Sequence, residues 1–268
     1  MEQIAWFRWL NLDGNRTIQT PEDLFRFVSD HHYSLMLPSD TAILPDLVSA
    51  VKGEIVFIAE YPRLAKQYET LFESFSRDYV YTGKLIEYPL IQSTSVLITP
   101  GDFRLLYQYK AAAGPSDEHE TRVLEFIRQE GTASKKQIRE MARSVPYLFQ
   151  RIDLYLYNLQ LGMQIYKTGF SAIEGNLYQS LPDALGSMPA IQPSPSGLKP
   201  ILEGLIRANL YVSPVKLQRA LKKLADKPEI DGVLKLLLTE GVVYKAKVGG
   251  EPVLVHRQTM DLLKGQLG

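Results

Sequence analysis

Between Glu118 and Phe170, and again between Ser196 and Arg257, apolar residues fall at helical spacing in three short runs and then in a hydrophobic pair of strands. That order predicts a winged helix, and it occurs twice. In the first copy Val123, Leu124 and Ile127 share one face of a helix from Glu120 to Glu130, which Gly131 stops. Ser134 is the N-cap of a helix from Lys135 to Arg143, and Pro146 opens a third helix from Tyr147 to Gly162. Strands from Met163 to Thr168 and Asn176 to Ser180 flank a turn at Glu174-Gly175. The second copy has helices from Leu198 to Asn209, from Val215 to Ala225 after Ser213-Pro214, and from Pro228 or Glu229 to Glu240, with Gly241 closing the last. Tyr211-Val212 is a short strand. The hairpin from Val242 to Val248 and Pro252 to Arg257 turns at Gly249-Gly250, where positive φ is free of steric cost.

The preceding stretch is less regular. Thr20 caps a helix with Pro21 in its first turn and Leu24, Phe25, Phe27 and Val28 on its apolar face. Glu54 to Ala59 is expected to be a buried strand or helix start, Pro62 to Ser76 an amphipathic helix, and Tyr79 to Lys84 a strand ending in a turn. Ile91 to Ile98 fits strand or helix, and Gly101 to Ala113 a helix. Five prolines between Pro182 and Pro200, with Gly186 and Gly197, predict a linker. The expected architecture is mainly α with small β wings (α+β). It comprises a helical module over 1–117, winged helices over 118–181 and 198–268, and a linker over 182–197.

The 268 residues carry no formal net charge, but the charge is unevenly distributed. Residues 1–121 hold 10 Lys and Arg against 17 Asp and Glu, and residues 122–268 hold 20 against 13, so the halves are −7 and +7. A basic C-terminal half suits contact with phosphates, although two halves that neutralise each other would have the same totals. The absence of cysteine excludes disulfides, thiolate metal sites and cysteine nucleophiles. Met1 to Asn11, with Trp6, Arg8 and Trp9, lacks the apolar core of a signal peptide, and no apolar run reaches the roughly 18 residues that cross a bilayer. A cytoplasmic protein without a membrane partner is expected.

Long basic side chains on the second and third helices and the wings are the candidate DNA contacts. They are Lys135, Lys136, Arg139, Arg143, Gln150, Arg151 and Lys167 in the first copy, and Lys216, Arg219, Lys222, Lys223, Lys235, Lys245, Lys247 and Arg257 in the second. Lys216, Arg219 and Lys223 share a helical face; a merely solvated basic face has the same spacing. The helix after Pro146 is apolar around most of its circumference, through Tyr147, Leu148, Phe149, Ile152, Leu154, Tyr155, Leu156, Tyr157 and Leu159. This predicts packing between modules rather than a free recognition helix. There is no phosphate-cradling glycine loop and no metal-ligand spacing, so no cofactor or metal is expected. His31-His32 suits a helix end better than a metal pair, and spacing alone pairs none of Asp13, Asp40, Asp46 and Glu60. Gln160 and Gln164 sit where amides satisfy backbone groups or read a base.

Several stretches together resemble the AlkZ-like winged-helix superfamily of DNA glycosylases: Ile18 to Leu24, Tyr33 to Pro38 followed by Leu44 to Leu47, Tyr81 to Leu85, and Asn158 to Gln160 before Ile165 to Gly169. The resemblance implies tandem winged helices that cup DNA and excise alkylated or crosslinked bases without a metal. It also implies a glutamine-apolar-glutamine motif holding a water near the glycosidic carbon. Gln160-Leu161-Gly162 lacks the second polar residue of that motif, and Gln160 to Gln164 has a different spacing, so no catalytic residue is assigned. The expected function is duplex DNA binding with a link to base repair. The alternative is a non-catalytic scaffold for protein partners, or a transcription regulator, built from the same modules.

Overall fold

The computed structural model describes residues 18–39, 44–91, 94–110, 114–181 and 195–260. Met1 to Asn11, Asp13, Asp40 and the proline-rich stretch over 182–194 lie outside them.

Helix α1 (Pro21–His31) starts where Thr20 and Asp23 cap each other: the Thr20 hydroxyl accepts from the Asp23 amide and the Asp23 carboxylate from the Thr20 amide. Its buried Leu24, Phe27 and Val28 face α2 (Leu47–Lys52), α4 (Glu69–Phe75) and a π-helical turn at Ser76–Val80, while α3 (Tyr61–Gln67), which precedes α4, packs its Leu64 on Val48 and Val56. A three-stranded antiparallel sheet lies beside them. Strand β3 (Thr94–Ile98) is central, between β1 (Tyr33–Leu35) and β2 (Ile86–Ile91). Pro89, which has no amide proton to give, sits on the edge strand β2, at an irregularity in register. Helix α5 (Pro100–Lys110) follows.

Three local expectations fail here. Glu54 to Ala59 forms turns, not a buried element: Val56 alone is buried, while Phe57 and Ile58 are 60% and 52% exposed. Gly53, at φ +77°, ends α2 and Pro62 lies in the first turn of α3, so the stretch is too short to reach a pairing strand. The predicted helix Pro62 to Ser76 is two helices that break at Tyr68. Tyr79 to Lys84, rich in β-formers, instead closes the π turn through the Tyr81 amide on the Ser76 carbonyl at 2.8 Å. Stacking of Tyr79 on Phe25 and Phe75, with ring centroids 4.6 and 5.8 Å away, outweighs local strand preference.

The middle unit follows its predicted order. Helix α6 (Glu118–Glu130) is capped by Asp117, and β4 (Ala133–Ser134) leads into α7 (Lys135–Ala142) through a Ser134–Gln137 capping box. Helix α8 (Pro146–Leu161) runs into the hairpin of β5 (Ile165–Ser171) and β6 (Gly175–Ser180), and β4 pairs with β6. Its core is its own, built on Val123, Leu124, Ile127, Ile138, Leu148, Ile152, Leu156 and Ile165. The buried Glu120 carboxylate binds Ser116 and the Asn158 amide group at 2.7–2.9 Å. This satisfies a charge that would otherwise be costly to bury.

The last unit contains α9 (Pro195–Arg207), α10 (Pro214–Leu221), α11 (Lys227–Thr239) and the hairpin of β7 (Val243–Val248) and β8 (Glu251–His256). Gly249 and Gly250 turn the hairpin at φ +57° and +87°. Helix α9 begins inside the stretch expected to be a linker and carries Pro200 within it. Leu198, Ile201, Leu202 and Leu205 are fully buried, and at about 2 kcal/mol apiece their burial offsets the helical hydrogen bond that Pro200 cannot make.

The largest core among the described residues joins the first unit to the last. Tyr33, Ile98, Phe103 and Leu106 pack with Leu202, Leu205, Leu217, Leu237 and Leu254. Gly204 makes this approach possible, since a Cβ there would stand 2.8 Å from Cε2 of the buried Tyr33 ring. Gly204→Ala is therefore expected to destabilise by about 1–3 kcal/mol through overpacking, despite the better helix propensity of alanine. A lower denaturant midpoint at unchanged slope is the measurement, and a midpoint equal to or above wild type would contradict it.

Candidate nucleic-acid interface

The predicted basic residues fall into three environments. On the middle unit they are largely neutralised. Lys135 and Arg139 converge on Asp153 at 2.7 and 3.1 Å, and Lys136 lies 3.0 Å from Glu174. The hydrogen bond to Glu174 holds the Lys136 ammonium above the ordinary lysine value. Such exposed pairs add little to stability, but they place a carboxylate against each of these cations. Arg143 and Gln150 are exposed, and Arg151 stacks its guanidinium 4.5 Å from the Tyr147 ring centroid.

On the last unit the picture differs. Lys216, Lys222, Lys235, Lys245, Lys247 and Arg257 are exposed, and among the described residues none of them pairs with a carboxylate. Arg219 is exposed on the same helix as Lys216. Lys223 is engaged, its Nζ 2.9 Å from the Tyr157 hydroxyl and 4.6 Å from that ring's centroid.

Lys167 stands apart. It is only 18% exposed and pairs with Glu87 of β2, itself 13% exposed, at 3.1 Å. Burial alone would push the Lys167 ammonium down, but the Glu87 carboxylate outweighs it and holds the group above its ordinary value. Burial pushes the nearby Tyr81 hydroxyl up, and the charge of Lys167 opposes it. The pair joins β2 to β5, and therefore the first unit to the middle hairpin.

Next to this junction lies a cleft of about 540 Å³ whose walls include Met36, Leu37, Tyr61, Phe72, Tyr81 and Phe170, with Glu73 and Arg77 among its polar groups. Phe170 and Leu37 are 58% and 41% exposed there. Neither Gln160 nor Gln164 lines it: the Gln164 amide group donates to the Gly162 carbonyl at 3.2 Å, and its backbone joins α8 to the strand register.

Helix α8 is packed at one end and open at the other. Near its C-terminus the Tyr88 hydroxyl donates to the Leu161 carbonyl at 2.7 Å, whereas Tyr147, Phe149 and Leu154 are 49%, 42% and 46% exposed. His31 and His32 are both engaged at the end of α1. His31 Nδ1 lies 2.8 Å from the Phe27 carbonyl, and His32 Nδ1 lies 2.8 Å from Asp102, which also accepts from the Thr99 hydroxyl. Among the described residues no group of three His, Asp or Glu is placed to hold a metal ion. No helix among them is long and apolar enough to cross a membrane.

The pairing of Glu87 with Lys167 and the contact of Lys110 with Lys223 were not legible in the sequence, because the partners lie 80 and 113 positions apart. Lys110 was legible only as one residue on a helical face.

The architecture is mainly α, with small antiparallel sheets of two or three strands and the order three helices then hairpin present twice. This is the fold of the solved Streptomyces sahachiroi DNA glycosylase AlkZ. The match has a TM-score of 0.59 and 12% sequence identity, and covers 97% of this chain and 70% of that one. No family model and no curated protein matches the sequence.

Proposed function

We infer that the protein binds duplex DNA through two winged-helix modules, chiefly through the last one. The observation that carries this reading is the set of exposed lysines without a carboxylate partner on α10, at its C-cap and on the β7–β8 hairpin, Lys216, Lys222, Lys245 and Lys247. Basic side chains without internal carboxylate partners are free to replace the counterions condensed on DNA. The pairs that engage Lys135, Lys136 and Arg139 give the middle unit a weaker part. There Arg143, Gln150 and Arg151 remain accessible to phosphates and base edges.

A test follows from counterion release. Duplex binding by anisotropy should weaken steeply between roughly 50 and 200 mM salt, with a log–log slope of about −3.6 if four phosphates are contacted. Absence of salt-sensitive binding at micromolar protein would overturn the reading.

The fold shared with a DNA glycosylase supports a repair role within the cytoplasm. The aromatic cleft beside Phe170 has room for an unstacked base. Incubation with alkylated duplex should then leave alkali-labile abasic sites, and a lesion panel with no cleavage would remove the catalytic part while leaving DNA binding intact. A second reading, a protein-binding scaffold, draws on the exposed Tyr147, Phe149 and Leu154 of α8. Phe149→Ser would abolish self-association under that reading and leave DNA affinity unchanged.

A further inference from the structure

We propose that Lys110 and Lys223 together bind a phosphate group at the junction of α5, α8 and α10. Lys110 ends α5, and its Nζ donates to the carbonyl of Lys223, in the turn just after α10, at 3.0 Å. Lys223 in turn donates from Nζ to the Tyr157 hydroxyl of α8 at 2.9 Å and lies over the same ring. Segments distant in sequence thus converge on Lys223: the Lys110 ammonium meets its main chain, and its own ammonium meets Tyr157 of α8. Their acceptors are neutral, a carbonyl and a phenol, and among the described residues neither ammonium has a carboxylate partner.

Two fixed like charges without a counter-charge repel, and an anion shared between them removes the repulsion. Burial holds the half-buried Lys110 ammonium below its ordinary value, and the charge of Lys223 adds to this in second place. Each ammonium has three donors and uses one in the bonds described, so both retain donors for a tetrahedral, multiply accepting group. The backbone phosphodiester of DNA and free phosphate share this chemistry. Under the duplex-binding reading, on which this inference rests, the ligand is the phosphodiester. The DNA backbone then crosses from α10, with Lys222 beside the pair, onto the Tyr157 region of α8.

The experiment compares duplex binding over a salt series for the intact protein and for Lys110→Gln, Lys223→Gln, Lys110→Arg and a distant control, Lys66→Gln. Glutamine retains an amide donor for the Lys223 carbonyl, and matching thermal midpoints establish that each variant is folded. In parallel, acylation of Lys110 is read by mass spectrometry with and without duplex DNA or inorganic phosphate. Each Gln substitution at the pair should flatten the log–log slope by about 0.9 and weaken binding roughly tenfold near 0.1 M salt. Lys110→Arg and Lys66→Gln should leave both unchanged, and DNA should protect Lys110 from acylation. Salt-sensitive wild-type binding with no change of slope or affinity in Lys110→Gln overturns the pair and leaves the DNA reading standing. Absence of DNA binding with protection of Lys110 by inorganic phosphate supports the site and assigns it to a free phosphate. Protection by neither overturns it.

Discussion

With Lys216→Gln, Lys222→Gln and Lys245→Gln combined, duplex affinity near 0.1 M salt is expected to fall by roughly two to three orders of magnitude. The log–log salt slope should flatten by about 2.7. Each neutralised phosphate contact contributes close to 0.9 to that slope, so each costs nearly a decade of affinity at 0.1 M relative to 1 M salt. The three residues are exposed, lie on α10 and the β7–β8 hairpin, and have no internal carboxylate partner, so their loss leaves no charge unpaired in the fold. Stability should therefore stay within about 0.5 kcal/mol of wild type. The equivalent triple change in α7, Lys135→Gln, Lys136→Gln and Arg139→Gln, should cost much less affinity, because Asp153 and Glu174 already occupy those groups. If the α7 triple weakens binding as much as the α10 and hairpin triple, the assignment of contacts to the last unit is wrong.

The largest expected effect on stability is at the Glu87–Lys167 junction. Glu87→Ala leaves the Lys167 ammonium buried without its counter-charge, at a cost of about 3–5 kcal/mol, or roughly 10 °C in Tm for a chain of this size. Glu87→Leu combined with Lys167→Met should recover most of that loss, because a buried pair replaced by well-packed apolar groups is often neutral or better. Recovery distinguishes an ion pair that joins two units from a lysine whose charge is needed for folding. The pH dependence has a definite sign. Lys167 is held above its unfolded value, so its contribution is fully present below about pH 10.4 and is lost as pH rises through the folded value. Raising the pH from 8 to 11 should therefore lower the urea midpoint of wild type relative to that of the apolar double variant, which lacks the titrating pair. A gap that stays constant would exclude the pair as the cause.

Much of the fold was legible because its signals are short-range. The Thr20–Asp23 and Ser134–Gln137 boxes, Pro146 and Pro214 at helix starts, and Gly131, Gly241 and Gly249-Gly250 at helix ends and turns act over three or four residues. The misreadings share a cause. Ile55 to Ile58 and Tyr79 to Tyr81 have the composition of strands, but Phe25, Phe75 and the turn at Gly53 decide their backbone. Pro195 to Pro200 has the composition of a linker, yet it opens a helix because its following residues meet α5 and the first sheet.

The candidate site was legible as a list of cations and not as an arrangement. Sequence alone determined two helix-and-hairpin units, a basic C-terminal half and the exclusion of cysteine chemistry, since each depends on composition or on neighbours along the chain. Only the tertiary structure decided that Lys167 is buried on Glu87, that Asp153 and Glu174 engage the α7 cations, and that Lys110 meets Lys223. These pairings join residues 14 to 113 positions apart, and the Coulomb and desolvation energies that set their roles depend on distance and burial in space rather than on spacing along the chain.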